Sequence, residues 1–167
     1  VIIESLQRML RPATINDAAA IAAIYNHYVL HTIVTFEEET ISPGEMKQRI
    51  TEVLEAGRPW LVWEENNQVL GYAYANAWKS RCAYRFALET TVYLDKDAAG
   101  RGLGTKLYTA LIDALRSTKI HSLIGGVALP NAGSVALHEK LGFQKIGHFK
   151  EVGWKFDQWI DVGYWEL

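Results

Sequence analysis

Apolar residues recur along this chain at two different periods, and each change of period marks a change of element. In "RPATINDAAAIAAIYNHYV", residues 11–29, a short extended stretch gives way to Ala20, Ile21, Ile24, Tyr25 and Tyr28 at helical spacing. That pattern predicts a strand and then a helix capped by Asn16 or Asp17. "ISPGEMKQRITEVLEA", residues 41–56, predicts a second helix, with Ser42 as N-cap and Gly57 just past its end. The period then drops to two. "WLVWEENNQVLGYAYANAW", residues 60–78, reads as a hairpin around a polar Glu-Asn-Asn turn, and "YRFALETTVYL", residues 84–94, as a further strand. A glycine-rich loop follows, then a helix around Lys106–Ser117 with Leu107, Ala110, Leu111, Ala114 and Leu115 on one face. "SLIGGVAL" is a buried strand, "NAGSVALHEKL" a helix closed by Gly142, and residues 142–167 supply two last strands. Helices first, an antiparallel hairpin, then β-loop-α-β-α-β describe an α+β domain with a mixed sheet.

Totals narrow the class without naming it. At 167 residues the chain is the size of one domain, long enough to bury roughly 70% of its unfolded surface without a metal or disulfide. A net charge of -2 argues against a general nucleic-acid binder, which needs a basic face. The lone Cys82 predicts a reducing, cytoplasmic setting. "VIIESLQRMLRP" lacks the apolar core and cleavage site of a signal peptide, and no apolar run is long enough to span a membrane. The five histidines lack metal-ligand spacing, so no metal is expected.

The chemistry starts at "KDAAGRGLGTKLYTALIDALR", residues 96–116. Gly100, Gly102 and Gly104 allow successive backbone N–H groups to face one point at the start of a helix, where the macrodipole also favours an anion. A diphosphate is the natural ligand, with Arg101 and Lys106 able to add charge; a plain glycine-rich turn is the alternative. Two nucleotide motifs fail on spacing. Walker A needs Gly-Lys-Ser/Thr, whereas Gly104 is followed by Thr105 and Lys106. The dinucleotide fingerprint needs a third glycine where this chain has Thr105 or Leu107.

"VYLDKDAAGRGLGTKLYTALI" followed by "NAGSVALHEKLGF" resembles the cofactor motifs of the GNAT superfamily of N-acetyltransferases. With "TFEEE", "GYAYANAWKSRCAYRFALETTVYL" and "EVGWKFDQWIDVGYWEL", the chain from Arg11 onward is similar to the phosphinothricin and methionine sulfone/sulfoximine N-acetyltransferases. The resemblance implies the GNAT fold, a single mostly antiparallel twisted sheet with helices on both faces. It also implies acetyl-CoA as co-substrate, held by Val92, Tyr93 and Leu94 of the strand, by Gly100, Arg101, Gly102, Leu103, Gly104 and Thr105 of the loop, and by Asn131 and Lys140. Asn131 can equally cap its helix, and Lys140 can be a solvated lysine. Where the superfamily loop carries Gln or Arg, this chain has Ala99.

Acetyl transfer needs a deprotonated amine, a polarised thioester and a protonated leaving thiolate. Strict alternation in 84–94 places Arg85, Ala87, Glu89, Thr91 and Tyr93 on one face, with Tyr84, Phe86, Leu88, Thr90, Val92 and Leu94 on the other. Glu89 sits mid-strand among uncharged neighbours, where burial would raise its pKa; it is either a solvated carboxylate or, as the resemblance implies, the base. The resemblance gives His138 the place of the acid for the thiolate, against a bland reading as a helix-surface histidine. Backbone N–H groups of Val92 to Leu94 would polarise the carbonyl, a donor of the kind worth about 3 kcal/mol.

For the acceptor, Trp78, Lys79, Arg81 and Arg85 lie close in sequence and suit an anionic amino acid, with Phe36, Thr90 and Thr91 completing the pocket. A basic loop meeting solvent is the alternative. Arg85 would share a strand face with Glu89, about 13 Å away by strand rise. The aromatic tail, residues 154–167, reads as core and dimer packing, and the resemblance implies a homodimer whose partner closes the substrate site. Other amine acceptors (a polyamine, an aminoglycoside, a protein N-terminus) and a non-catalytic acyl-CoA sensor remain open.

Overall fold

A computed structural model describes residues 8–167. Residues 1–7, where most of the segment without a leader pattern falls, lie outside the described residues. The chain forms β1 (Arg8–Pro12), α1 (Ala18–His31), α2 (Pro43–Glu55), β2 (Trp60–Glu65), β3 (Gln68–Ala77), β4 (Ala87–Leu94), α3 (Leu103–Arg116), β5 (Ser122–Leu129), α4 (Ala132–Lys140), β6 (Gln144–Lys155) and β7 (Gln158–Glu166). The seven strands make one sheet in the order β1-β2-β3-β4-β5-β7-β6. Every neighbouring pair is antiparallel except β4 and β5.

Strand alternation builds two cores, one on each face. In β3, Tyr72 and Tyr74 pack beneath α1 and α2 with Ile21, Ile50 and Trp60, while Ala73 and Ala75 pack beneath α3 with Leu107, Leu111 and Trp165. The small residues admit α3 closely; the aromatic ones fill the wider gap under α1. The 66–67 turn has both asparagines at positive φ, 50° and 62°, as a tight hairpin requires.

Sequence and structure part at element ends. A single 3-10 turn precedes α1 and is capped by Thr14, whose side chain accepts from Asn16 N–H. Asp17 reaches back to the Thr14 N–H at 2.7 Å and stands, as expected, at the N-cap position of α1, though its side chain makes no capping bond there. Asp17 is also locked to Arg11 by hydrogen bonds of 2.9 and 2.7 Å, which hold its carboxyl below the usual range. The second helix begins as expected, Ser42 and Glu45 forming a capping box. α3 starts at Leu103, earlier than its periodicity implies, because Gly102 at φ 76° turns the loop directly into the helix. Its buried face therefore runs through Tyr108 and Ile112, and Ala114 is exposed.

The strand expected from Tyr84 begins only at Ala87, since residues 82–84 form a 3-10 turn. The alternation holds within β4 alone. Arg85 is therefore not on the face of Glu89: its guanidinium donates to the Cys82 carbonyl at 3.1 Å and lies over the Phe86 ring.

Candidate active site

The only parallel pair in the sheet is also the shortest. β4 and β5 are in register at Ala87, Leu88 and Glu89 and then diverge. In the antiparallel ladder with β3, Trp78 N–H bonds Ala87 O and Asp95 N–H bonds Leu70 O, so odd-numbered residues of β4 turn their peptides toward β3. The even ones, Thr90, Val92 and Leu94, turn theirs to the widening gap. Val92 and Leu94 thus present the backbone donors expected there, while the Tyr93 N–H faces β3. The Leu94 carbonyl is met by the Tyr28 hydroxyl at 2.6 Å.

A cavity of about 250 Å³ occupies this gap and is lined by residues from both faces of the sheet. On the α1–α2 side it is walled by Val34–Phe36, Glu89, Thr91 and Tyr93; from β5 and α4 come Gly126, Val127, Ala128, Asn131, Ser134 and His138. Glu89 is half-buried, and burial raises its pKa above the usual carboxylate value; Lys79 acts in the opposite sense, less strongly. Among the described residues it forms no hydrogen bond or ion pair, which leaves an ionisable carboxyl unengaged inside a cavity.

His138 is not on the helix surface. It is 4% exposed, and desolvation lowers its pKa, so the ring is neutral at neutral pH. Its Nδ1 lies 2.7 Å from the Ser134 carbonyl, which can only accept, so Nδ1 carries the hydrogen. Nε2 is then left to accept from the Tyr108 hydroxyl at 3.0 Å, and Tyr108 in turn accepts from Thr90 Oγ1 at 2.6 Å. Thr90, Tyr108 and His138 form one buried polar chain on the α3 side. Burial pushes the Tyr108 hydroxyl well above its usual pKa, so it stays protonated. Sequence reading missed Tyr108, which it left off the apolar face of that helix; the approach of α4 brings His138 to its hydroxyl.

The phosphate loop has the shape an anion needs. Gly102 caps α3 without a side-chain bond, and a Cβ added at Gly100 or Gly102 would meet nothing within 4 Å. The positive φ of both, 75° and 76°, keeps the loop open in front of the unpaired N–H groups of Leu103, Gly104 and Thr105. Arg101 is turned away to Glu65 at 2.6 Å, and Lys106 lies over the Trp63 ring, so backbone rather than these cations dominates the cradle. Asn131 does cap α4, accepting from Ser134 N–H at 3.1 Å, while also lining the cavity. Lys140 is exposed in the last turn of α4, away from the cavity wall.

Of the acceptor residues, Phe36, Thr90 and Thr91 line the cavity. Trp78 packs edge-on against Tyr164, with the Lys79 ammonium over its ring at 4.5 Å and near enough to Glu89 to influence its titration. Arg81 and Arg85 are exposed in the 3-10 segment and do not reach the cavity wall. Cys82 is exposed as a free thiol. Among the described residues no group of His, Cys, Asp and Glu is placed to hold a metal ion, and no helix is long and apolar enough to cross a membrane.

The model of the acetyltransferase (GNAT) domain matches residues 10–163 of this chain. The chain belongs to the GNAT acetyltransferases. It is 40% identical over 157 residues to a phosphinothricin N-acetyltransferase of Streptomyces viridochromogenes, covering 94% of this chain and 85% of that protein. A methionine sulfoximine/methionine sulfone acetyltransferase of Salmonella typhimurium is 38% identical over 151 residues, 90% of this chain and 88% of its own. The solved phosphinothricin acetyltransferase of Sinorhizobium meliloti, in complex with acetyl-CoA, superposes with a TM-score of 0.93 at 34% identity, over 96% of this chain and 87% of that one. The GNAT fold expected from the motifs is the fold found, and the chain is an N-acetyltransferase.

Proposed function

We propose that this acetyltransferase moves an acetyl group from acetyl-CoA directly to the α-amine of a small anionic amino acid, of the kind represented by phosphinothricin, methionine sulfone and methionine sulfoximine. One observation carries the proposal: the cavity in the β4–β5 gap is lined from both faces of the sheet, with the Glu89 carboxyl on one and the His138 chain on the other. Both substrates can then meet across the sheet in a ternary complex, without a covalent enzyme intermediate. The two relatives named for such substrates lend the acceptor class its support.

In this reading Glu89 takes the proton of the acceptor ammonium, directly or through a water, and its raised pKa brings it closer to the amine's. The Val92 N–H polarises the thioester carbonyl as nitrogen attacks carbon. The C–S bond breaks and the sulfur leaves as thiolate. The newly bonded nitrogen sheds its second proton, and one proton reaches the thiolate through water held at the neutral His138–Tyr108–Thr90 chain, whose own protons end where they began. A thiol near pKa 8.5 needs little help, so this step is the less demanding one. The backbone of Gly100 to Thr105 holds the pyrophosphate, Asn131 faces the pantetheine arm, and Lys140 meets the outer phosphates. Lys79, with Trp78 as its aromatic wall, holds the acceptor carboxylate; Arg81, exposed two residues on and outside the cavity wall, would have to move inward to join the same group.

We further propose a homodimer. Phe149, Trp154, Phe156 and Trp159 stand exposed on the β6–β7 hairpin, apolar surface that a second copy of the chain would cover. A reducing, cytoplasmic setting suits the exposed Cys82 thiol.

Thiol release from acetyl-CoA, measured with L-methionine sulfone, L-methionine sulfoximine, L-phosphinothricin, spermidine and a peptide, tests the acceptor class. Turnover confined to the first three is expected. Turnover on spermidine or peptide alone would remove Lys79 and Arg81 from the acceptor site, and bound CoA with no turnover would favour a sensor.

A further inference from the structure

Lys155 is the last residue of β6 and one of the most completely buried side chains in the molecule, at 1% exposure. A lysine there is unusual, because an ammonium leaves water only at a cost and carries three donors to satisfy. Its one hydrogen-bond acceptor among the described residues is the backbone carbonyl of Thr35, at 2.8 Å and 120 positions away in sequence. Glu37 and Glu38 favour its charge, while burial lowers its pKa. The segment it grips is the acceptor wall: Val34, Thr35 and Phe36 line the cavity opposite Glu89.

The same segment is held at two further points. Thr35 Oγ1 hydrogen-bonds the Tyr25 hydroxyl of α1 at 2.7 Å. The far end of the Phe36 ring, Cζ with Cε1 and Cε2, stands against Gly153 of β6, so close that a Cβ at Gly153 would overlap it. Residues 34–36 are otherwise a connection between α1 and α2 with no ladder of their own. Val34 N–H bonds Thr32 Oγ1 at 3.2 Å, Glu37 N–H bonds Thr35 Oγ1 at 3.3 Å, and Glu37 pairs with Arg49 of α2, so the segment is braced locally and on the α2 side. Its ties to the far hairpin are the Lys155 and Gly153 contacts.

We infer that Lys155 is a positioning residue for acceptor recognition: by fixing the Thr35 carbonyl it sets where Phe36 stands in the pocket. The inference rests on the proposed acceptor role of that wall. It assigns Lys155 no contact with either substrate, and it makes the β6–β7 hairpin a determinant of acceptor affinity while the CoA side stays independent of it. Lys155→Met keeps the length and apolar stem and deletes the donor.

Steady-state kinetics of wild type and Lys155→Met, with the best amino-acid acceptor of the panel above, tests it. The acceptor KM should rise about tenfold, with kcat and the KM for acetyl-CoA close to wild type, because a misplaced wall weakens acceptor binding and leaves the β4 and loop donors untouched. An unchanged acceptor KM, or a parallel loss of acetyl-CoA affinity, overturns the inference. Should Lys155→Met not fold, Gly153→Ala displaces Phe36 from the same side, and a raised or unchanged acceptor KM decides the matter equally. A wild-type protein inactive on every amino acid overturns the acceptor reading and this inference together; an active wild type with both variants unchanged overturns this inference alone.

Discussion

At the scale of single residues, the site works by withholding partners from some groups and supplying them to others. Glu89 is left unpaired where burial raises its pKa. A carboxyl that holds its proton more tightly when folded stabilises the fold while protonated, and that contribution is lost as pH rises through its raised native pKa. Glu89→Gln should therefore lower kcat/KM about a hundredfold or more. It should also raise Tm relative to wild type, by a margin that grows from acid to alkaline pH; thermal melts across that range check the sign. His138 is the opposite case, with both ring nitrogens engaged. Tyr108→Phe removes the donor to Nε2 and should lower kcat about tenfold at unchanged acceptor KM. Unchanged kcat in that variant would mark the chain as packing only.

Elements translate backbone conformation into binding. α3 begins where it does because Gly102 adopts φ 76°, which leaves its first N–H groups facing open space. Gly102→Ala meets no steric clash but holds an L side chain in the left-handed region, at about 1 kcal/mol. Its expected signature is a raised KM for acetyl-CoA with the acceptor KM held, the reverse of the Lys155→Met pattern. β4 plays a comparable part: three registered positions tie it to β5, and from Thr90 onward its even-numbered peptides face the gap.

Across the whole molecule, the sheet divides the labour. In the proposed mechanism the face under α1 and α2 offers the acceptor wall and Glu89, and the face under α3 and α4 the glycine loop and the His138 chain. The hairpin beyond β5 carries exposed Trp159, 60% accessible and edge-on to Trp154 at 4.8 Å. Trp159→Lys should shift the protein from twice the chain mass to the monomer in light scattering, with the melting temperature little changed, since the side chain supports no core. Persistence of the dimer would move the interface elsewhere.

Local chemistry made much of this legible in advance. Period-two and helical runs marked the strands and helices, because side-chain direction follows backbone geometry. Three glycines before an apolar helix marked a loop that turns straight into α3, because glycine alone takes positive φ at no steric cost. Ser42 and Asn131 were readable as caps from their own hydrogen-bonding reach. Contacts between distant segments were not readable. Arg85 left the strand because a 3-10 turn satisfied its neighbours first. Arg101 found Glu65 from another strand, Tyr108 met His138 from another helix, and Lys155 met Thr35 across most of the chain. Each of those pairings depends on which elements the sheet order brings together, and only the folded sheet decides that.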